Sequence, residues 1–401
     1  MKRKYAVIKA RRTATFDPLE GPGLELEAVQ PRVATPSVDI DELEARDATR
    51  IRGQADVIAV VPELPTALVE PIAAVTGDFS PQANSTINTW GIEAVGASTS
   101  PLGGQGVTVA VLDTGIDINH PAFNGVNIVQ QDFTGDGNGD VNGHGTHCAG
   151  TVFGQNVGNT RIGVARNVER ALIGKVLADN GRGSTLWSFE AIQWALRNGA
   201  NVISMSLGID FPGYVQRLIA QGVPPDFATN LALEGYRATI NAYTSLTNFI
   251  RNSSGFGQNC FIVAAAGNEN RQFQNPDWDI NVALPAATNG ILSVAAVGQT
   301  PNGLMPAPFS NSGANVSGPG VSVRSAEAGT GGLRDLNGTS MATPHVAGVA
   351  ALWAQWLKNR SLLSPFNLEA KLASSATSSA LAPGADVADV GLGVVQAPQT
   401  S

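Results

Sequence analysis

From residue 107 to residue 357 the chain alternates short apolar runs with longer segments of helical character, and this alternation restricts the folds open to it. The runs span residues 107–112, 171–177, 202–207, 261–266 and 291–297. They are brief and largely apolar, as expected of parallel strands covered on both faces. The sequence predicts helices over His144–Phe153, residues 184–198, roughly 228–250, and 340–357. Strand and helix in turn imply an α/β fold, doubly wound about a mainly parallel sheet, with ligands at the carboxyl ends of the strands. Residues 209–259 are too many for one crossover and are expected to carry an extra surface element.

Charge is spread unevenly. Residues 1–85 hold 10 Lys/Arg and 13 Asp/Glu, whereas the remaining 316 residues hold only 15 and 20. The break predicts two units that bury different fractions of their surface. The first has strand-like runs at residues 5–8, 57–61 and 67–69, with a charged helix at 41–52, and reads as a small α+β module. The polar, turn-rich residues 77–89 read as a linker. The expected division is therefore 1–83 and 84–401.

A net charge of −8 argues against nucleic acid as a partner. No run of about 18 apolar residues predicts a membrane span. The start, Met1 to Lys9, has a basic flank but no apolar segment behind it. The absence of a visible export signal favours a cytoplasmic protein, with secretion as the alternative. Two cysteines, Cys148 and Cys260, make no disulfide framework, and buried free thiols are expected.

The stretch Asn337-Gly338-Thr339-Ser340-Met341-Ala342-Thr343-Pro344-His345 opens the long apolar helix predicted to end near residue 357. A hydroxyl there sits beside N–H groups without intrahelical partners, in the positive field of the helix. Such a Ser can be a plain N-cap or a group placed beside oxyanion donors. Three further motifs fall at strand ends. The apolar run at 107–112 leads into Asp113, a carboxylate that would need a partner such as an imidazole N–H. His144 stands between Gly143 and Gly145 at the start of a helix. The run at 261–266 ends in Gly267-Asn268, whose amide can donate to an oxyanion. His144 and His147 also have the spacing of a metal pair, but no Glu lies between them as in a zinc-protease helix.

Asp, His and Ser in this order, each on its own α/β element, is the order found in subtilisin. The sequence resembles the subtilisin-like serine peptidases, with a likeness to the proteinase K branch. The resemblance rests on VAVLDTGID around Asp113, NGHGTHCAGT around His144, AAAGNEN around Asn268 and NGTSMATPHVAG around Ser340. VISMSLG and the closing GLGVVQA extend it over about residues 90–397.

The resemblance implies a serine endopeptidase acting on protein or peptide substrates, with Ser340 as nucleophile and His144 as general base, then acid. Asp113 would orient His144, and Asn268 with the Ser340 N–H would form the oxyanion hole. Ser206-Leu207-Gly208 and Ala265-Ala266-Gly267 would flank an extended substrate. Cys148 would be a free thiol beneath the catalytic His. Residues 1–83 would be an inhibitory propeptide, itself a partner of the enzyme, cut off between about Gly77 and Thr89. No cofactor enters such chemistry. Structural calcium is one reading of Asp136, Asn138 and Asp140, and an ordinary turn is the other. Residues 155–159 lack the side-chain pattern of the family's strongest calcium site.

Two rivals stand beside this reading. A lipase or esterase needs G-x-S-x-G, and Gly338-Thr339-Ser340-Met341-Ala342 lacks the second Gly. A non-catalytic peptide-binding module on the same fold would fail to react with a serine-directed probe.

Overall fold

The computed structural model describes residues 2–10, 36–75, 77–79, 87–254, 259–272, 274, 275 and 277–400. The N-terminal unit is a three-stranded antiparallel sheet of β1 (Arg3–Ala10), β2 (Pro36–Leu43) and β3 (Val57–Pro62), with α1 (Ala45–Arg52) between the last two. Only the second part of the helix expected at 41–52 is helical. Asp39 and Asp41 alternate with Val38 and Ile40, and that period of two pairs them with Val7 and Tyr5 of β1. The next strand, β4 (Pro65–Leu68), belongs to a different sheet.

The rest of the chain runs α2 (Trp90–Ala94), β5 (Thr108–Asp113), β6 (Ile128–Asp132), α3 (His144–Phe153), β7 (Arg170–Lys175), β8 (Arg182–Ser184) and α4 (Thr185–Arg197). It continues through β9 (Val202–Met205), β10 (Leu207–Ile209), α5 (Phe211–Ala220), α6 (Pro225–Asn252), β11 (Phe261–Ala265) and β12 (Ile291–Thr300). It closes with β13 (Gly303–Pro306), β14 (Val316–Pro319), β15 (Val323–Ala326), β16 (Leu333–Leu336), α7 (Thr339–Lys358), α8 (Pro365–Ser375) and α9 (Val387–Val390).

The central sheet has the order β13-β12-β11-β9-β5-β7-β6, with β14 also beside β12. Its pairs are parallel except for β12 with β13. The five apolar runs of the sequence are five successive strands of this sheet: β12, β11, β9, β5 and β7. The sheet is wound on both faces. Along β5, Val109 and Val111 join a buried cluster with α3 and α7, while Ala110 and Leu112 join another with α4 and α6. The excess length after residue 209 is α5 and the 28-residue α6.

The N-terminal sheet rests on α4 and α6. Ala6 and Ile8 of β1, with Ala59 and Val61 of β3, share one buried cluster with side chains of those helices. Polar contacts pin the edges: Gln193 Nε2 donates to the Pro36 carbonyl at 2.6 Å, and Ser184 Oγ donates to Glu63 at 2.8 Å. Then β4 enters the rim of the central sheet as the middle strand of an antiparallel sheet, β10-β4-β8. Of the expected linker, residues 80–86 lie outside the described residues, and so does the 83/84 boundary. Among the described residues, no helix is long and apolar enough to cross a membrane.

Candidate active site

Asp113 ends β5, fully buried, and its Oδ1 accepts from His144 Nδ1–H at 2.8 Å and from the Thr114 N–H at 2.7 Å. His144 is the first residue of α3, and the two elements must approach closely for the bond to form. A Cβ added at Gly145 would lie 2.2 Å from the Gly115 carbonyl oxygen, so no larger residue fits there. Asp140 ties the junction together. Its carboxylate accepts from Thr114 Oγ1, Gly143 N–H, Thr146 N–H and Thr146 Oγ1, at 2.6–2.8 Å. Thr114 Oγ1 in turn accepts from the Gly145 N–H at 2.9 Å. These donors satisfy Asp140 as a carboxylate at a helix start is usually satisfied, within the loop where calcium was one reading.

Burial alone would push the His144 pKa down, but the adjacent Asp113 charge, with Cys148 and the hydrogen bonds to both, holds it well above its usual value. The other histidines behave differently. Burial and the nearby His144 charge push His147 down to about 3, and its Nε2–H donates to the Val323 carbonyl at 3.0 Å. That nitrogen is thus engaged by backbone carbonyls. Burial takes His345 down to about 4, with Nδ1–H donating to the Met341 carbonyl at 2.8 Å. His120 caps a short turn, accepting from the Ala122 N–H. Cys148 and Cys260 are free and buried, and burial raises the Cys148 thiol to about 11.

Ser340 is the second residue of α7, wholly buried, where the backbone N–H has no intrahelical acceptor. Asn268 lies just past β11. Its Oδ1 accepts from the Thr339 N–H at 2.9 Å and from Thr339 Oγ1 at 2.8 Å, which fixes the amide with Nδ2 free to donate. Gly338 leaves room at this approach, since an added Cβ would sit 3.0 Å from Asn268 Nδ2 and press on the amide. Ser206 Oγ donates to the Ser340 carbonyl at 3.2 Å.

An extended segment of the chain itself fills the cleft. Thr66, Ala67 and Leu68 pair with Ile209, Gly208 and Leu207 on one side, and the Leu68 N–H donates to the Gly181 carbonyl on the other. Ser340 Oγ donates to the Val69 carbonyl at 3.0 Å, and Asn268 Nδ2 to the Glu70 carbonyl at 2.8 Å. Leu207 and Gly208 thus flank an extended strand of this same chain. The opposite flank is β8 instead of Ala265-Ala266-Gly267. Those three residues spend their backbone groups inside the body, with the Ala266 N–H on Val294 and the Gly267 N–H on Thr339 Oγ1. The Gly-x-Gly of residues 181–183 ahead of α4 was the available signal for the true flank.

A carboxylate–imidazole pair, a buried hydroxyl at a helix N-terminus and a fixed amide donor therefore surround one extended backbone. The model of the subtilase family matches residues 104–393, which contain all four of these groups. The chain belongs to the subtilase family. Relatives of this subtilase include alkaline serine exoprotease A of Vibrio alginolyticus, 33% identical over 74% of this chain and 48% of that protein. Thermostable alkaline protease of Halalkalibacterium halodurans is 36% identical over 66% of this chain and 62% of its own length. Subtilisin BL of Lederbergia lenta is 36% identical over 66% of this chain and 84% of its own. The match thus spans about half the length of the exoprotease. In this subtilase Thr114, Asp140 and Thr339 hold the site in shape. From the sequence, Asp140 was legible only as a calcium candidate and the two threonines only as parts of motifs.

Proposed function

We propose that this subtilase is a serine endopeptidase made with its own inhibitor. Ser340 Oγ attacks a peptide carbonyl, and His144 takes its proton and returns it to the leaving amine. Asp113 orients His144 and stabilises its charged form. Asn268 Nδ2 and the Ser340 N–H receive the developing oxyanion. Proton transfer and charge stabilisation are supplied by side chains and backbone of this chain, and the substrate is an extended protein or peptide segment. The observation that carries the reading is the extended backbone seated between β8 and β10, with a carbonyl on Ser340. The N-terminal unit fits an inhibitory propeptide, since it docks on α4 and α6 and sends β4 into the cleft.

A fluorophosphonate probe tests the chemistry. Protein whose N-terminal unit has been removed should be labelled at Ser340 and should hydrolyse casein, and Ser340→Ala should do neither. A chain that binds peptides but resists the probe would be a binding module. As to compartment, the relatives lend no support to the cytoplasmic expectation, and we favour secretion. A segment that shuts the cleft spares the producing cell until it is removed. Cleaved enzyme in the culture medium supports this, and retention in the lysate counts against it.

A further inference from the structure

The geometry points to Val69–Glu70 as the bond this chain presents to its own nucleophile, well upstream of the polar residues 77–89. This rests on the endopeptidase reading above. Four observations fix the register. First, the ladder between β8 and β10 ends at Leu68, whose N–H reaches the Gly181 carbonyl at 2.8 Å. Second, the next carbonyl, that of Val69, is the one touching Ser340 Oγ, at 3.0 Å. Third, the Val69 side chain is buried and turned to the wall of the cleft. A Cβ added at Gly208 would lie 3.5 Å from Val69 Cγ2 and 3.8 Å from the Leu284 carbonyl. Fourth, the chain is gripped again beyond the bond, where the Ile72 N–H donates to the Asn337 carbonyl and Asn337 Nδ2 to the Ile72 carbonyl, both at 2.8 Å.

A cut one residue later would need the Glu70 side chain in the pocket, yet Glu70 is exposed and Val69 is buried. A cut at 77–79 would need those residues at Ser340, yet Phe79 lies against Gly298 and Val321. Asn268 meanwhile donates to the Glu70 carbonyl, one position past the bond. It must move onto the Val69 oxygen before an oxyanion there is stabilised, so the self-cut is slow. In the reaction, Ser340 Oγ bonds to the Val69 carbonyl carbon and its proton passes to His144. The Val69–Glu70 C–N bond breaks as His144 returns the proton to the Glu70 nitrogen. Water then hydrolyses the Val69 ester, leaving a Val69 carboxylate and a body that begins with the Glu70 amine.

The test is a time course of the full chain, reading intact mass and the N-terminal sequence of the first body fragment. Expected is a body beginning at Glu70, formed at a rate independent of protein concentration over a hundredfold range. Ser340→Ala should stay whole, and Val69→Asp should slow this cut at least a hundredfold while remaining probe-reactive at Ser340 once an added protease has trimmed it. A first fragment beginning anywhere else, a rate proportional to concentration, or an unaffected Val69→Asp chain overturns the register and leaves the endopeptidase reading intact. A trimmed body that neither labels nor hydrolyses casein overturns that reading instead.

Discussion

β1 of the N-terminal unit and β5 of the central sheet are both buried on two faces, but what covers them differs. β5 lies between α3 and α7 on one side and α4 and α6 on the other, all from its own unit. β1 turns Tyr5 and Val7 to a cluster completed, among the described residues, by Ala48 and Val60 as buried partners. Its other face, Ala6 and Ile8, is covered by helices of the body. Burial of apolar area sets most of the stability available to a unit. The body therefore holds its own fold and all of the proposed chemistry, whereas the N-terminal unit borrows half of its core from the surface it shuts.

The largest effect should come from the body alone. Ser340→Ala is expected to lower kcat by about 10⁶-fold, the size of the same deletion in subtilisin. Both units should stay folded and docked, since the change removes one hydroxyl. Residual hydrolysis above a few per cent in a pure sample would separate the nucleophile from Ser340. Asn268→Ala comes next, with a fall in kcat of roughly 10²–10³-fold at nearly constant KM. A rise in KM at unchanged kcat would make Asn268 a substrate-binding residue and no more.

The same contrast decides what could be read from the sequence. The five inner strands were legible because each is a continuous apolar run, and α3 because glycines bracket its start. Asp113, His144, Asn268 and Ser340 stood at strand ends and helix starts, where α/β folds gather their sites. β2 was obscured by Asp39, Asp41 and Glu42, which are exposed along this edge strand of the sheet. β4 showed only as the strand-like run at 67–69, and nothing local gave its place between β8 and β10. Its partners lie more than 110 residues away, and a strand of three or four residues carries no period. The β8 flank was missed for the same reason, while Ala265–Gly267 was placed beside the substrate by the family resemblance.

The borrowed core can be attacked from the N-terminal side. Ile8→Ala empties part of the shared cluster, and a loss of about 2 kcal/mol is expected. That is about thirtyfold weaker inhibition when the separated unit is added back, with kcat of the cleared body unchanged. An unchanged inhibition constant would mean that β4 alone carries the docking.

A smaller effect follows from His144. In the closed chain its pKa is held above the usual 6.5 by Asp113 and Cys148 against the opposing effect of burial. The charged form is favoured in the folded state, so its stabilising contribution is complete below about pH 6.5. It is lost as pH rises through the raised value. Charged His144 cannot accept the Ser340 proton, so the self-cut should slow about tenfold per pH unit below that value and level off above it. A rate already flat at pH 6.5 would show that His144 is not held charged.

The smallest effect concerns the residue that aims the amide. Thr339 donates to Asn268 Oδ1 through both its N–H and its hydroxyl, and that hydroxyl also accepts from the Gly267 N–H at 3.2 Å. Thr339→Val keeps the shape and the backbone bond but removes the second donor and leaves a buried N–H without its acceptor. A neutral hydrogen bond contributes about 1 kcal/mol, so kcat of the cleared body should fall by roughly fivefold. If Thr339 acts by holding Asn268, the loss should vanish in an Asn268→Ala background, since there is no amide left to aim. If it acts by holding the start of α7, the fivefold loss should persist there. The cycle thus separates an effect on the amide from an effect on the helix that carries Ser340.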